Sequence, residues 1–353
     1  MTKKYKIAFM PGDGIGNDVL EAARMVIEEG TDFQAEFIHG DIGWVFWEKE
    51  GDALPARTVE MMKETDAALF GAITSKPNVK GYRSPIVRLR QIFNLYSNMR
   101  PCKAYEGNPL NYRDDIDLVV FRENTEGLYS GVEFYDLKEL QNIGVFKKYD
   151  INKTTVSCRI FTEEGCRRII RRGFEYAQKK GYPTVTLVHK ANVIRATDGM
   201  FLRIAEEVAK DFPKIEVWKQ NIDAMCMQLV KNPQKFGVIV TTNMFGDIVS
   251  DLTAQLVGGL GFAASASTSD SYGLFEPTHG SAPKYAGQYK VNPIAAILSV
   301  KLMFEWLGEN KLAEAVENAV KRNIKEGKVK TYDLGGTSST LDVAKDIVRI
   351  LNE

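Results

Sequence analysis

The run VIVTTNMFGDIVSD, from Val238 to Asp251, constrains this chain more than any other stretch. Val238 to Thr242 is short, apolar and β-branched, the composition of a buried strand. The pattern breaks at Asn243 and Gly246, then resumes with Ile248, Val249 and Leu252 at helical spacing. That strand-to-helix turn sets Asp247 and Asp251 at i and i+4, on one helix face. Two neighbouring carboxylates repel unless a cation sits between them, and a hard divalent ion such as Mg2+ or Mn2+ takes oxygen ligands. The other reading is a solvated helix start, where the macrodipole favours acids. This stretch by itself leaves both open.

At 353 residues there is length for one large domain or two ordinary ones, with an ample core. Lys plus Arg equals Asp plus Glu at 46 each. No overall field therefore draws the chain to nucleic acid or a membrane surface, and any anion site must come from local clustering. The basic start MTKKYKIAFMPGDG has too short an apolar run for a signal peptide, and no stretch approaches a membrane span. Cys102, Cys158, Cys166 and Cys226 form no CxxC pair and read as buried free thiols in a reducing cytoplasm. With only His39, His189 and His279, a histidine-rich zinc site is disfavoured.

The opening reads as alternating β and α, the pattern of an α/β fold. Lys6 to Met10 is a strand, PGDGIGNDV from Pro11 is a glycine-rich turn, and Val19, Leu20, Ala23 and Val26 mark a helix. The glycines fall at 12, 14 and 16 with Asn17 next, so a tight turn is favoured over a phosphate cradle. Thr58 to Lys63 is helical and Ala67 to Phe70 a strand. The loop from Gly71 leads into a helix with Leu89, Ile92, Phe93 and Tyr96 as its apolar stripe, capped by the Ser84 hydroxyl. Arg83, Arg88, Arg90 and Arg100 crowd this region, and arginine grips carboxylates in a bidentate way. Arg88 reads as part of a solvated face.

Asp117 to Phe121 is a strand ending in RENTEGLYSG, a charged turn of the kind that carries ligand-binding groups in α/β enzymes. There Arg122 could grip an anion and Tyr129 could donate a phenolic proton, or Arg122 and Glu123 could simply pair with neighbours. Tyr135 to Arg159 is an extended excursion that suits a dimerisation arm, and Phe161 to Lys179 is an amphipathic helix. Lys190 leaves the strand Val185 to His189. It is either a surface lysine or, desolvated beside a cleft, a group suited to proton transfer. Gly199 to Lys210 is helical. Asp223 precedes a mostly apolar helix, as an N-terminal cap or as a third metal carboxylate. Gly258 to Ser271 is rich in small residues that let backbone approach a ligand. Glu276, His279, Lys284 and Tyr285 follow on a loop. Ile294 to Trp306, Leu312 to Lys325 and Leu341 to Leu351 are helices, with a loop from Thr331.

Three blocks, RENTEGLY from Arg122, TTNMFGDIVSD from Thr241 and EPTHGSAPKYAG from Glu276, stand in the order and spacing of one family. In these the chain resembles the β-decarboxylating dehydrogenases, which act on isocitrate, homoisocitrate, 3-isopropylmalate, and tartrate or D-malate. The likeness runs from Ile7 to about Leu351. It implies an isocitrate/isopropylmalate dehydrogenase-like α/β fold, not a Rossmann fold, with a cleft between large and small domains. Residues 1–95 and 258–353 would form the large, cofactor-binding domain. Residues 96–257 would form the small domain for dimerisation, substrate and metal, with an arm at about 130–160.

The resemblance also implies roles. Arg90, Arg100 and Arg122 would hold the malate core. Tyr129 and Lys190 would be the proton-transfer pair, with Asp223 assisting. Asp247 and Asp251, with Asp223 from the partner of a homodimer, would hold Mg2+ or Mn2+. The dinucleotide would lie along Ile73, Thr74, Glu276, the loop holding His279, Gly280, Ala282, Lys284 and Tyr285, and then Val291, Asn292 and Tyr332. Isocitrate enzymes usually present Ser-x-Asn before the arginine helix. Here Ser84-Pro85-Ile86 keeps the serine and loses the asparagine, which tilts toward a longer or altered side arm such as that of homoisocitrate. Lys284, Tyr285 and Tyr332 fit a 2′-phosphate and favour NADP over NAD, whereas Gly336 and Asn232 stand where phosphate-binding arginines are often found. The loop Ser265 to Asp270 also lacks the usual Asn-Ile-Gly. The expected reaction is oxidative decarboxylation of isocitrate, with homoisocitrate or another malate (D-malate, tartrate, a phosphono analogue) as the alternative. A non-catalytic regulatory subunit is disfavoured, because Tyr129, Lys190, Asp223, Asp247 and Asp251 are all present.

Overall fold

The computed structural model describes residues 4–353 apart from 77, 78 and 80. The basic first residues and part of the loop expected after Gly71 lie outside the described residues. The chain opens with β1 (Tyr5–Gly12), α1 (Gly16–Gly30), β2 (Ala35–His39), α2 (Trp44–Glu50), α3 (Ala56–Lys63), β3 (Ala67–Ala72) and α4 (Pro85–Ile92). It crosses through β4 (Ser97–Lys103) and β5 (Asp117–Glu123) to a two-stranded excursion, β6 (Glu133–Phe134) and β7 (Val156–Ser157). Next come α5 (Glu163–Lys180), β8 (Thr184–His189), α6 (Arg195–Ala209), β9 (Glu216–Asn221), α7 (Ile222–Lys231), β10 (Val238–Thr241) and α8 (Asn243–Gln255). The chain returns through β11 (Ala264–Thr268) and β12 (Gly273–Pro277) and ends in α9 (Ile294–Leu307), α10 (Asn310–Glu326) and α11 (Thr340–Leu351).

Ten strands form one sheet in the order β2-β1-β3-β12-β11-β4-β5-β10-β8-β9. Two parallel blocks, β2-β1-β3-β12 and β5-β10-β8-β9, are joined by antiparallel pairings through β11 and β4. The apolar core follows the same division. Two clusters lie within residues 102–257, under α5 and α6 and under α7 and α8. Two others gather the first 95 residues with the last third of the chain, Tyr105 being the exception. Helix α9 is buried nearly all round because it lies between β11 and β12 on one side and α1 and α10 on the other. Helix α5 is capped by Thr162, whose hydroxyl accepts the Gly165 N–H at 2.9 Å. It packs close to β10 at Gly173, where a Cβ would come within 2.2 Å of Val240.

Several sequence expectations need correction. The small-residue stretch forms the buried strand β11, since serine and alanine fit between β12 and β4 beneath α9. Helix α4 ends at Ile92, so of the expected stripe it buries only Leu89; Ile92 is exposed and Tyr96 stands outside it. Ser84 occupies the N-cap but makes no side-chain cap bond, and Pro85 at the first helical position has no N–H to satisfy. Asn221, not Asp223, is the N-cap of α7. Helix α6 starts at Arg195, ahead of the expected Gly199. Of the four cysteines, all free, Cys102 and Cys166 are buried while Cys158 and Cys226 are partly exposed.

Candidate active site

Strand alternation sorts the central sheet into two faces. Asn98, Arg100, Arg122, Ser265 and Glu276 point one way; Ser97, Met99, Phe121, Ala266 and Phe275 point the other and line a separate ≈ 280 Å³ recess between α5 and α9. The chemistry gathers on the first face.

Arg122, at the end of β5, is 1% exposed. Its side chain lies flat against α8 at Gly246, where a Cβ would sit 2.5 Å from Arg122 Cγ. It donates through Nε and NH2 to Asn243 Oδ1 at 3.0 and 2.9 Å, and through NH1 to Asp247. Tyr129, on the short turn Leu128–Ser130, donates its hydroxyl to the other Asp247 oxygen at 2.7 Å, and Arg122 stacks over its ring. Arg100, two residues beyond Asn98 on β4, donates Nε to Asn98 Oδ1 at 2.7 Å and NH1 to Ser250 at 2.7 Å and Asp251 at 3.3 Å. Asn98 is itself held by Ser267 Oγ at 2.9 Å. Arg90, on α4, meets Glu276 at 3.1 Å with both side chains nearly buried.

Burial sets the electrostatics. It presses the Arg122 guanidinium below arginine's ordinary range, and the nearby Arg90 and Arg100 add to that by repulsion. Arg100 is lowered by burial in the same way. Burial would raise Asp247, but Arg122, the Tyr129 hydroxyl and Arg100 outweigh it and hold that carboxyl low. Burial raises Asp251 and prevails over the opposing pull of Arg100. Burial likewise raises the Tyr129 phenol, and its hydrogen bond to Asp247 adds to this against the pull of Arg122.

A recess of ≈ 210 Å³ opens beside this cluster, lined among others by Ile73, Ile86, Arg90, Arg100, Glu276 and His279. Three buried polar atoms of its lining residues, Arg90 Nε, Thr278 Oγ1 and His279 Nε2, lack any hydrogen-bond partner among the described residues, which a bound polar ligand would supply. Burial also lowers the His279 imidazole, favouring its neutral form. Gly280 lines the same recess.

Around this recess, Thr74 bonds Ser281 Oγ at 2.6 Å. Ala282 adopts the left-handed backbone (φ 35°) that turns the chain into Pro283–Tyr285. Lys284 lies over the Tyr285 ring, which faces Tyr332 with centroids 6.1 Å apart. The Asn292 amide is fixed by Asp333 at 3.0 Å, and the Val291 carbonyl accepts from Thr340.

The fold brings together Arg90, Arg100, Arg122, Tyr129, Asp247, Asp251 and Glu276. It does not bring Lys190 and Asp223 to them. Those two pair with each other at 2.5 Å, Lys190 just past β8 and Asp223 in the first turn of α7, which follows the neighbouring strand β9. The Lys190 hydrogen bond holds the exposed Asp223 carboxyl below its ordinary range. Among the described residues no three His, Cys, Asp or Glu side chains group closely enough to hold a metal ion. Asp247 and Asp251 offer hard oxygen donors of the right chemistry for Mg2+ or Mn2+, but a hard cation takes about six such ligands, so they are a partial set. Arg88 pairs with Asp52 and stands apart from the arginine cluster. Sequence reasoning missed Asn98, Asn243, Ser250 and Ser267. Polar residues two apart on one strand, at 98 and 100, were the available signal.

The comparisons with known proteins define the class. Residues 6–347 match the family model described as isocitrate/isopropylmalate dehydrogenase. The chain belongs to that family and is an NAD(P)-dependent β-decarboxylating dehydrogenase. It is 43% identical over 359 residues to homoisocitrate dehydrogenase of Methanocaldococcus jannaschii, covering 99% of this chain and 98% of that one. It is 44% identical over 347 residues to 3-isopropylmalate dehydrogenase of Archaeoglobus fulgidus, covering 98% and 99%. The crystal structure of isocitrate dehydrogenase from Methylococcus capsulatus superposes with a TM-score of 0.91 at 40% identity, over 99% of this chain and all of that one. Among the described residues no helix is long and apolar enough to cross a membrane.

Proposed function

We propose that this chain oxidatively decarboxylates isocitrate to 2-oxoglutarate, with NADP favoured over NAD and with Mg2+ or Mn2+ at Asp247 and Asp251. The observation that carries this reading is the clustering of Arg90, Arg100 and Arg122 beside one recess, which Arg90 and Arg100 line, with Asp247 and Asp251 paired to Arg122 and Arg100. Three guanidiniums suit a polycarboxylate, and the unpartnered Arg90 Nε is a donor waiting for one. The Ser84 hydroxyl, unused as a helix cap, is available to the carboxylate on the substrate's side arm.

A divalent cation, when bound, would supply Lewis acidity to the substrate hydroxyl and to the charge that develops as CO2 leaves. The dinucleotide, when bound, would accept the hydride. The chain's own residues then have defined work. Arg90, Arg100 and Arg122 hold the malate carboxylates in a fixed orientation. Lys190, with Asp223 beside it, takes the hydroxyl proton. Tyr129, whose phenol stays protonated at neutral pH, returns a proton to the carbon that has lost CO2.

Because the Lys190–Asp223 pair stands apart from Asp247 and Asp251 in its own chain, the complete site is a homodimer's, with the partner subunit's Lys190 and Asp223 entering each cleft. Met227, Val230 and Ile248 on α7 and α8 are about half exposed, an apolar face that suits such an interface. Residues 130–160 serve as its arm. Residues 1–95 and 258–353 form the cofactor-side body and 96–257 the body that dimerises. The dinucleotide runs along Ile73, Thr74, Glu276, His279, Gly280, Ala282, Val291 and Asn292, with its 2′-phosphate at Lys284, Tyr285 and Tyr332. The free cysteines suit the reducing cytoplasm.

Homoisocitrate is the second reading. Ile86 lines the recess in place of a polar residue, which favours a longer arm, and the Methanocaldococcus relative bears that name. Steady-state kinetics on isocitrate, homoisocitrate, 3-isopropylmalate, D-malate and tartrate, each with NAD and NADP, decide the matter. Isocitrate with NADP should give the highest kcat/KM. A higher value for homoisocitrate selects the second reading, and a higher value for 3-isopropylmalate overturns both.

A further inference from the structure

The glycine-rich turn after β1 has no part in the chemistry above, yet it touches both loops that border the dinucleotide cleft. Three of its N–H groups are already used: the Asp13 N–H donates to the Ala72 carbonyl at 2.8 Å, that of Ile15 to the Ser281 carbonyl at 2.9 Å, and that of Gly16 to the Asp13 carbonyl at 3.0 Å. Gly14, at φ 58°, lies so close to the second loop that a Cβ would sit 2.0 Å from the Ser281 oxygen. A phosphate finds no cradle here.

What the turn presents instead is a buried carboxylate. Asp13, 4% exposed, accepts the Trp44 N–H with both oxygens at 2.8 Å and the Thr74 N–H at 2.8 Å. One turn into α1, Asp18 is 2% exposed and accepts the Gly287 and Tyr289 N–H groups, each at 3.1 Å. Among the described residues neither carboxylate has a lysine or arginine partner; backbone donors alone satisfy both. Buried acids are kept only when donors compensate them, so each fixes the backbone that supplies its donors. Asp13 fixes the loop bearing Ile73 and Thr74, and Asp18 fixes the far end of the loop bearing Lys284 and Tyr285. The hydroxyls of Thr74 and Ser281 join the two loops at 2.6 Å.

We propose that Asp13 and Asp18 are positioning residues for the dinucleotide: internal anions that hold the two cleft loops at a fixed spacing without touching the cofactor. The inference rests on the cofactor path proposed above. Asp13→Asn and Asp18→Asn keep the side-chain shape but replace one acceptor oxygen with a donor. Each should raise KM for the dinucleotide roughly 10- to 100-fold, the range for losing charge-assisted hydrogen bonds. KM for the malate substrate, measured at saturating dinucleotide, should change less than about twofold. Titration of NADPH or NADH by fluorescence should show the same loss of affinity, with Mn2+ binding unchanged.

Equal rises in both KM values, or a lowered melting temperature with the dinucleotide KM intact, would overturn the proposal. If Asp13→Asn does not fold, Asp18→Asn carries the test by itself, since it acts on the other loop. His279→Ala tests the cofactor path separately. If it leaves dinucleotide affinity untouched, the path is wrong; if it lowers affinity while both Asn variants do not, only the positioning role fails.

Discussion

The Lys190 ammonium lies 2.5 Å from an Asp223 carboxylate oxygen, while the carboxylates of Asp247 and Asp251 in the same chain contact arginines and Tyr129. A lone lysine–aspartate pair on the surface contributes little to stability, and the partner-subunit role proposed for this one has a direct test. Subunit mixing tests this. Lys190→Ala and Asp247→Asn should each be inactive alone. Co-refolded in equal amounts, they should recover about a quarter of wild-type activity, because half the dimers are mixed and each mixed dimer holds one intact site. No recovery at all would mean that each chain carries its whole site.

Asp247→Asn should also abolish metal-dependent turnover by on the order of 100-fold or more, since loss even of a ligand's outer hydrogen-bond partner costs about 10–100-fold. The fold should survive, because Asn243 keeps two of the hydrogen bonds that hold the buried Arg122. Activity with and without added Mn2+, alongside a melting curve, checks both halves. Near-normal turnover in chelator would remove Asp247 from the metal site.

How far the sequence carried depends on whether a residue's role is local or set by distant strands. The turn from β10 into α8 was legible because strand, break and helix are contiguous, and so was the shared face of Asp247 and Asp251. The partners of Arg100 were not. Asn98 and Ser267 meet only because β4 and β11 pair in antiparallel register, and nothing local announces that register. Ser265 to Thr268 misled for a related reason. Small polar residues resemble a loop until a helix as apolar as α9 covers them and makes them a buried strand. Asp13 and Asp18 sat in a motif read for its glycines, and their partners lie on loops up to 271 residues away.

The NADP preference proposed above rests on Lys284, Tyr285 and Tyr332, since an arginine at Gly336 does not fit this backbone. A Cβ there would come within 2.0 Å of the Lys330 carbonyl oxygen. The 2′-phosphate would then be gripped by one lysine and two phenols. Lys284→Asp combined with Tyr285→Ile should shift the NADP-to-NAD ratio of kcat/KM toward NAD by roughly 10- to 100-fold, the yield of one or two charge-assisted hydrogen bonds. An unchanged ratio would place the phosphate elsewhere.

Stability should carry a pH signature from Glu317, on α10. Its carboxylate meets Lys103 at the end of β4 at 2.9 Å, and Lys301 on α9 and Lys321 at 3.3 Å each. Burial pushes its pKa up, but Lys301, Lys103 and Lys321 together pull it down from 4.5 to about 2. A group whose pKa is depressed on folding stabilises the fold above its unfolded value and loses that contribution as pH falls through the folded one. The Glu317 contribution is therefore complete above about pH 5 and declines from there toward pH 2. After allowance for solvent screening at the partly exposed lysines, it is on the order of 1–2 kcal/mol. Glu317→Gln should lower the melting temperature by a few degrees at about pH 7, the usual response of a chain this long to ~1–2 kcal/mol. Scans at successively lower pH should show the gap between variant and wild type closing between about pH 5 and pH 3. A gap that stays constant over that range would mean Glu317 acts through packing or neutral hydrogen bonds, not through its charge.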